Sequence, residues 1–271
     1  MTEISIPEAR EWSLEVVSVQ DLTPGMRRIH LTGPGLEKLD YLPGQDMAIA
    51  VTSPQGEPVR RRYTIRAFDP LEGSVDVDFV MHGDGPAARW ATTAKAGDAI
   101  EVIAPRGKIT IARDSTSHLF LGDDSAIPAT AAMIESLSPG STARALLEVQ
   151  GPQDEIVITP PEGVELSVAW LHRGEARPGE SDALMSAVAG GGLDAGAGHA
   201  YLAGEFGMVI RLRSMLQDRG FTKEQISPKP YWRTGRDNMA HGEPFRDCRR
   251  DGATAAPLSR RERRGTPVAP C

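Results

Sequence analysis

Cysteine is nearly missing from this chain of 271 residues: there are two, Cys248 and Cys271, both in the final stretch. The body ahead of them therefore has no thiol, no disulfide framework and no thiolate metal site. The six histidines are scattered and none pairs with another at a ligating spacing, so no protein-held metal is expected. A Walker A motif, an HExxH pair and an EF-hand loop are all missing, as is any Ser/His/Asp or Cys/His constellation. No apolar run approaches the ~18–20 residues that cross a bilayer, and the acid-bearing start Met1–Trp12 has no apolar h-region. A formal net charge of −7 argues against nucleic acid or an anionic membrane as partner. The expectation is a soluble, cytoplasmic protein with no membrane insertion.

What is there is ordinary globular composition, 40% hydrophobic and 25% charged, which excludes disorder throughout and a fibrous repeat. The charge is unevenly placed. Residues 239–271 hold seven of the 30 basic and four of the 37 acidic residues, a net of +3. Residues 1–238 keep the remaining 23 basic and 33 acidic residues, a net of −10. The Arg-rich end lacks aliphatic periodicity and is read as a disordered tail.

Short β-favouring runs fill the first half: Ser13–Gln20, Met26–Thr32, Asp46–Thr52, Arg61–Phe68, Ser74–Met81 and Ala99–Ala104. Turn signals separate them at barrel spacing. One helix interrupts the series, opened by Pro86 within Gly85–Lys95. After Arg113 strands alternate with helices: strand His118–Gly122, helix Ala126–Leu137, strands Ala143–Gln150 and Leu166–His172, helix Ser181–Ala189, strand His199–Ala203, helix Met208–Arg219. That order implies a mostly parallel sheet. The expected layout is a six-stranded Greek-key barrel over 11–112, a Rossmann-like α/β domain over 113–238, and the tail 239–271.

Two segments stand out within the barrel half. Arg60-Arg61-Arg62-Tyr63-Thr64-Ile65-Arg66 sets four arginines in a strand of an acidic body. Alternation places Arg62, Thr64 and Arg66 on one face and Arg61, Tyr63 and Ile65 on the other. This is either a charged barrel exterior or an anion site with an aromatic platform, arginine supplying planar donors and Tyr63 a stacking ring. The second, Asp78-Phe79-Val80-Met81-His82-Gly83-Asp84-Gly85-Pro86-Ala87-Ala88-Arg89-Trp90, runs strand, glycine turn, helix start. Such a start offers backbone N–H groups to phosphate. Gly33-Pro-Gly35 opens like a dinucleotide fingerprint but lacks the third glycine and sits in the barrel half, so it is set aside.

Five motifs in register over Trp12–Arg236 resemble the siderophore-interacting protein family, FAD-dependent ferric-siderophore reductases related to ferredoxin reductases. They are Arg61-x-Tyr63-Thr64-x-Arg66, Asp78-Phe-Val-x-His82-Gly-x-Gly-Pro-Ala-x-x-Trp90-Ala91, Gly122-Asp-Asp-Ser-Ala-Ile-Pro128-Ala, Ala203-Gly-Glu205 and Tyr231-Trp232-Arg233-x-Gly235. The resemblance implies FAD as cofactor, held by Arg61, Arg62, Tyr63, Thr64, Asp78, Phe79, Val80, Met81 and His82. Ala87, Ala88, Arg89 and Trp90 would then open the helix on the diphosphate. It places Asp123 and Asp124 on the side of the reductant NAD(P)H, with Asp124 standing where Glu is more usual. Glu205 either orients a ligand or caps the helix that follows it. Trp232, with Lys229, Arg233 and Arg236, forms either a basic aromatic wall for a ferric siderophore at the flavin edge or a domain-docking cluster. No side-chain acid, base or nucleophile is required, because the flavin carries the chemistry. Ferredoxin as electron partner and a non-catalytic siderophore carrier are the alternatives, and a monomer is expected.

Overall fold

Apolar residues at every second position turn the first half into strands whose inner face makes a core. The computed structural model describes residues 7–81, 83, 85–191, 193 and 198–235. The expected tail 239–271, together with His82 and Arg236, lies outside the described residues. Seven antiparallel strands form the first sheet: β1 (Arg10–Thr23), β2 (Met26–Thr32), β3 (Asp46–Thr52), β4 (Pro58–Thr64), β5 (Ala67–Asp69), β6 (Ser74–Val80) and β7 (Ala99–Arg106). Their spatial order is β4-β3-β7-β1-β2-β6-β5.

Seven strands replace the expected six because the run 61–68 bends at Ile65-Arg66. The Ile65 N–H donates to the Gln45 carbonyl (3.1 Å) and the Arg66 N–H to the Asp76 carbonyl (2.9 Å). The joint thus hands the ladder from the β3 side to the β6 side. Since β4 and β5 are the two ends of the sheet and consecutive in the chain, the curled sheet is joined to itself through one bent strand. Alternation in β6 puts Val75, Val77 and Phe79 inside, each at most 1% exposed. Burying each large apolar side chain contributes about 1.5–3 kcal/mol. On its other face Asp78 accepts two hydrogen bonds from Arg28 (2.7 and 2.8 Å) and Asp76 pairs with His30 (2.8 Å). The single helix here, α1 (Pro86–Thr93), seals one end with Ala87 and Ala91.

The second sheet is parallel, in the order β10-β9-β8-β11-β12, from β8 (Ser117–Asp123), β9 (Thr142–Val149), β10 (Glu165–His172), β11 (His199–Glu205) and β12 (Ile226–Trp232). Helices α2 (Ile127–Ile134), α3 (Ala183–Ala189) and α4 (Phe206–Asp218) cover its faces. In β8, Phe120 points into the core with α2, while Leu119 and Leu121 point into the core with α3 and α4. Strand β12 escapes sequence reading because Pro228 and Pro230 argue against a strand. Proline is tolerated here because β12 is an edge, paired only to β11. Order reverses between β8 and β11, and in open α/β sheets ligands bind outside the carboxyl ends at such a switch.

Charge ties the two sheets together within one compact unit. Asp46, at the start of β3, is 2% exposed and accepts from Arg62 of β4 (2.6 and 2.8 Å) and Lys229 of β12 (2.7 Å). Arg66 donates to Glu135, just past α2 (2.7 and 2.6 Å). Removing the shared acid strands two largely buried cations. Asp46→Ala is therefore expected to lower unfolding stability by about 3 kcal/mol, read as a fall in the urea midpoint. A loss below about 1 kcal/mol, the level of an exposed pair, would show the cluster to be dispensable.

Candidate flavin and dinucleotide site

The bend in the first sheet opens a slot. The β5–β6 ladder ends at Ala67↔Asp76, and β4 pairs with β3. Among the described residues no ladder joins Arg62–Thr64 of β4 to Asp78–Val80 of β6. Tyr63 stands at this opening with its ring centroid 4.3 Å from Phe79, which lies 5.6 Å from Trp90 of α1. Desolvation pushes the Tyr63 hydroxyl up to about 12, against the opposing charge of Arg61, so it remains a neutral donor. Phe79 is fully buried and backs Tyr63 from within the core, so it can offer a ligand only its backbone. Thr64 is buried beside it, and Val80 and Met81 are half-buried at the end of the strand.

Beyond the slot, α1 begins without a side-chain cap: Gly85 is extended at the N-cap, Pro86 follows, and no acid occupies the first turn. Small Ala87 and Ala88 are buried there and let a ligand approach their backbone, while Arg89 is exposed. Unpaired N–H groups and the helix dipole favour an anion at such a start. Arg61 is half-buried and its Nη1 donates to the neighbouring Arg60 carbonyl (3.0 Å). Arg62 differs, because both arms of its guanidinium are held by Asp46. Of the two strand arginines expected to meet FAD, Arg61 and not Arg62 is placed to present its charge.

At the carboxyl end of the parallel sheet, Asp123 gathers three strands. One oxygen accepts from the Ser125 N–H (2.9 Å) and hydroxyl, the other from the Glu205 N–H (2.8 Å) and the Trp232 indole (3.0 Å). Glu205 resolves into a helix cap, accepting from the Met208 N–H (2.9 Å), and its other oxygen takes the Thr234 N–H (3.3 Å). Glycine permits this crowding: a Cβ on Gly122 would sit 2.6 Å from the Ala203 carbonyl oxygen, and one on Gly204 2.5 Å from Asp123. Asp123, placed by the resemblance on the reductant side, is therefore turned inward as a latch, and Glu205 takes the capping role of its two alternatives. Asp124 pairs with Arg173 (2.9 Å) on a cleft of about 260 Å³ between the two sheets.

The expected siderophore wall is also largely engaged. Lys229 lies on Asp46 and over the Tyr231 ring (5.4 Å), Trp232 donates to Asp123, and Arg233 stacks on Phe206 at the start of α4 (4.9 Å). The docking alternative describes Lys229 and Trp232, while Arg233 stays at the rim. Sequence reading missed Asp46, Glu135 and Arg173. No motif marks them, and only cross-strand register and lobe packing bring them to the site.

Burial, then repulsion from Asp124, raises the Asp123 carboxyl to about 6 from 3.8. Folded protein thus holds this proton up to about pH 6, whereas the unfolded chain releases it near 3.8. Stability linked to Asp123 is full below the unfolded-chain value and is lost as pH rises through the folded one. Asp123→Asn should flatten the pH 4–6 segment of the urea-midpoint profile. An unchanged profile would mean that Asp123 titrates as in water.

Comparison with known proteins accords with this geometry. Residues 49–109 match the siderophore-interacting FAD-binding domain and residues 115–235 match siderophore-interacting protein. A Mycobacterium tuberculosis protein without an assigned function is 32% identical over 278 residues, covering 90% of this chain and 96% of its own. Ferric vibriobactin reductase of Vibrio cholerae is 31% identical over 194 residues, 70% of each chain. Among solved structures, a siderophore utilization protein from T. fusca superposes with a TM-score of 0.79 at 31% identity, covering 88% of this chain and 98% of that one. The reductase component of a carbazole dioxygenase, 21% identical with a TM-score of 0.66, shares the fold. On the strength of the two matching domains and the Vibrio cholerae relative, the chain belongs to the siderophore-interacting protein family.

Proposed function

We propose that this protein reduces ferric siderophores with FAD as its resident cofactor and NAD(P)H as electron source, releasing ferrous iron. The observation that carries the reading is the slot where Tyr63, packed on Phe79, which in turn meets Trp90, stands beside the uncapped start of α1. A planar ring and a diphosphate need these features side by side. Tyr63 would stack on the isoalloxazine, Thr64 and the backbone of Asp78–Val80 would meet its polar edge, and Arg61 with the Ala87 and Ala88 N–H groups would hold the diphosphate. Bound FAD supplies the conversion of a two-electron hydride into single electrons. The chain orients the reactants and excludes water. One-electron reduction of Fe(III) suffices to free the metal, since siderophores hold Fe(II) far more weakly, and this needs no side-chain acid or base.

The substrate side is more open. Arg233, stacked on Phe206 near β12, is the described cation best placed to meet an anionic chelate, with Trp232 and Lys229 fixing the strand beneath it. An acidic body, net −10 over residues 1–238, opposes an acidic ferredoxin, and the phosphates of a dinucleotide as well. The protein acts as a monomer in this reading.

Purified protein should be yellow. NADH or NADPH should bleach it anaerobically, and added ferric siderophore should restore the colour while ferrozine traps Fe(II). A colourless protein that takes up no FAD overturns the proposal, and bleaching by reduced ferredoxin alone would reassign the donor. Arg61→Ala with Tyr63→Leu, which keeps the packing on Phe79, should weaken FAD binding about 100-fold through lost stacking and charge-assisted donation. Flavin fluorescence on dilution reads this out. Full retention would refute the slot assignment.

A further inference from the structure

The inner face of β2 ends on a charge. Alternation buries Ile29 and Leu31 in the barrel core, and the next position on that face, toward the β1–β2 turn, is Arg27. In register it stands opposite Phe79 of β6 on one side and Asp21 of β1 on the other. A guanidinium at the mouth of an apolar core needs acceptors. Nη1 donates to the carbonyls of Ala91 (3.1 Å) and Thr92 (2.9 Å). Nε and Nη2 donate to the two oxygens of Asp21 (2.6 and 3.1 Å). One fork thus spans an exposed acid and the backbone of a helix.

That helix is α1, and Ala91 and Thr92 lie in its last turn, where its own sequence supplies no basic residue. The last carbonyls of a helix have no partner within it and form its negative end, which a cation stabilises. Here the Ala94 N–H meets the Trp90 carbonyl (2.9 Å), and Arg27 meets the next two. A helix of eight residues does not persist on its own hydrogen bonds, so its contacts decide where it lies. Ala87, Ala91 and Trp90 pack it against the barrel, but alanines give little resistance to sliding along the axis. Arg27 supplies the axial hold. The opposite end is the uncapped start, about 12 Å away at roughly 1.5 Å per residue. Arg27 therefore touches no ligand there, yet it sets how far the first-turn N–H groups reach, and hydrogen bonds weaken steeply outside a few tenths of an ångström.

We propose that Arg27, oriented by Asp21, is a positioning residue for the FAD diphosphate: it grips the far end of α1 and so fixes where the N–H groups of Ala87 and Ala88 stand. This rests on the placement of the diphosphate at the start of α1 given above. Arg27 is also the ladder neighbour of Phe79, which backs Tyr63. Riboflavin, which has the flavin ring but no phosphate, reads any disturbance of that stacking side and separates it from the diphosphate side.

Flavin-free protein titrated with FAD and with riboflavin, followed by flavin fluorescence, gives the ratio of the two affinities. The wild type should favour FAD by about 100-fold, through charge-assisted donation to the diphosphate. Arg27→Gln should weaken FAD about 10-fold, the scale of a well-placed helix-end cation, and leave riboflavin nearly unchanged. Arg27→Lys keeps a cation at the carbonyls without the fork onto Asp21 and should recover part of the loss. Phosphorus NMR of FAD bound to Arg27→Gln should show shifted diphosphate resonances, while the flavin absorbance bands stay in place. Asp21 is 64% exposed, so Asp21→Asn leaves the fold intact and gives a smaller fall in the same ratio, which carries the test if Arg27→Gln does not fold. A variant ratio equal to that of the wild type overturns the inference, whether both affinities persist or both fall together; the second result would make Arg27 a structural staple. A wild type that binds the two flavins equally would instead refute the diphosphate reading, and the inference with it.

Discussion

One buried carboxylate, Asp46, decides how the two sheets of this protein face each other. It begins β3 of the barrel, yet it holds both a barrel arginine, Arg62, and a lysine from the far edge of the parallel sheet, Lys229. Each cation keeps most of its charge out of water, at 15% and 16% side-chain exposure, and the shared acid makes that tolerable. Gly107 sits directly above the three groups, and a Cβ there would lie 3.1 Å from both Asp46 and Lys229. With φ at +93°, it suits glycine for backbone reasons as well. The crossing from barrel to α/β lobe is therefore made where the ion cluster leaves no room for a side chain.

That cluster also explains which arginines remain for ligands. An arginine-rich strand in an acidic protein looks like one anion site, but each of its guanidiniums has a different task. Arg62 binds Asp46, Arg66 binds Glu135 past α2, and Arg60 reaches Glu11 at 3.3 Å. Arg61 is left on the face that Tyr63 shares. Three of the four guanidiniums are thus spent on carboxylates of the protein itself.

Much of the architecture was legible because its physics is local. Period-two patterning gave the barrel strands, and Pro86 after Gly85 gave the start of α1. Alternating strands and helices gave the parallel sheet. What stayed illegible was long-range. The bend at Ile65-Arg66 follows from each residue bonding a different neighbour, and β12 hides behind its prolines. The roles of Asp123, Glu205 and Lys229 could not be read from type or spacing. Acids at the carboxyl end of a sheet look ligand-facing in a sequence. Here a tight glycine environment turns two of them inward, where backbone N–H groups and an indole satisfy them. Arg173 carries no motif, and the registers of β8 with β9 and of β9 with β10 together place it beside Asp124.

The prolines of β12 have a further consequence. Parallel pairing to β11 draws on alternate N–H groups, so Pro228 and Pro230, two apart, share the side that faces away from the sheet. That outer rim lacks donors at both positions, and a foreign strand would find no continuous ladder to join. Strand addition, a common way for one protein to seize another, is thereby discouraged at this edge of the parallel sheet. That rim therefore presents side chains, not a backbone ladder, to whatever approaches it.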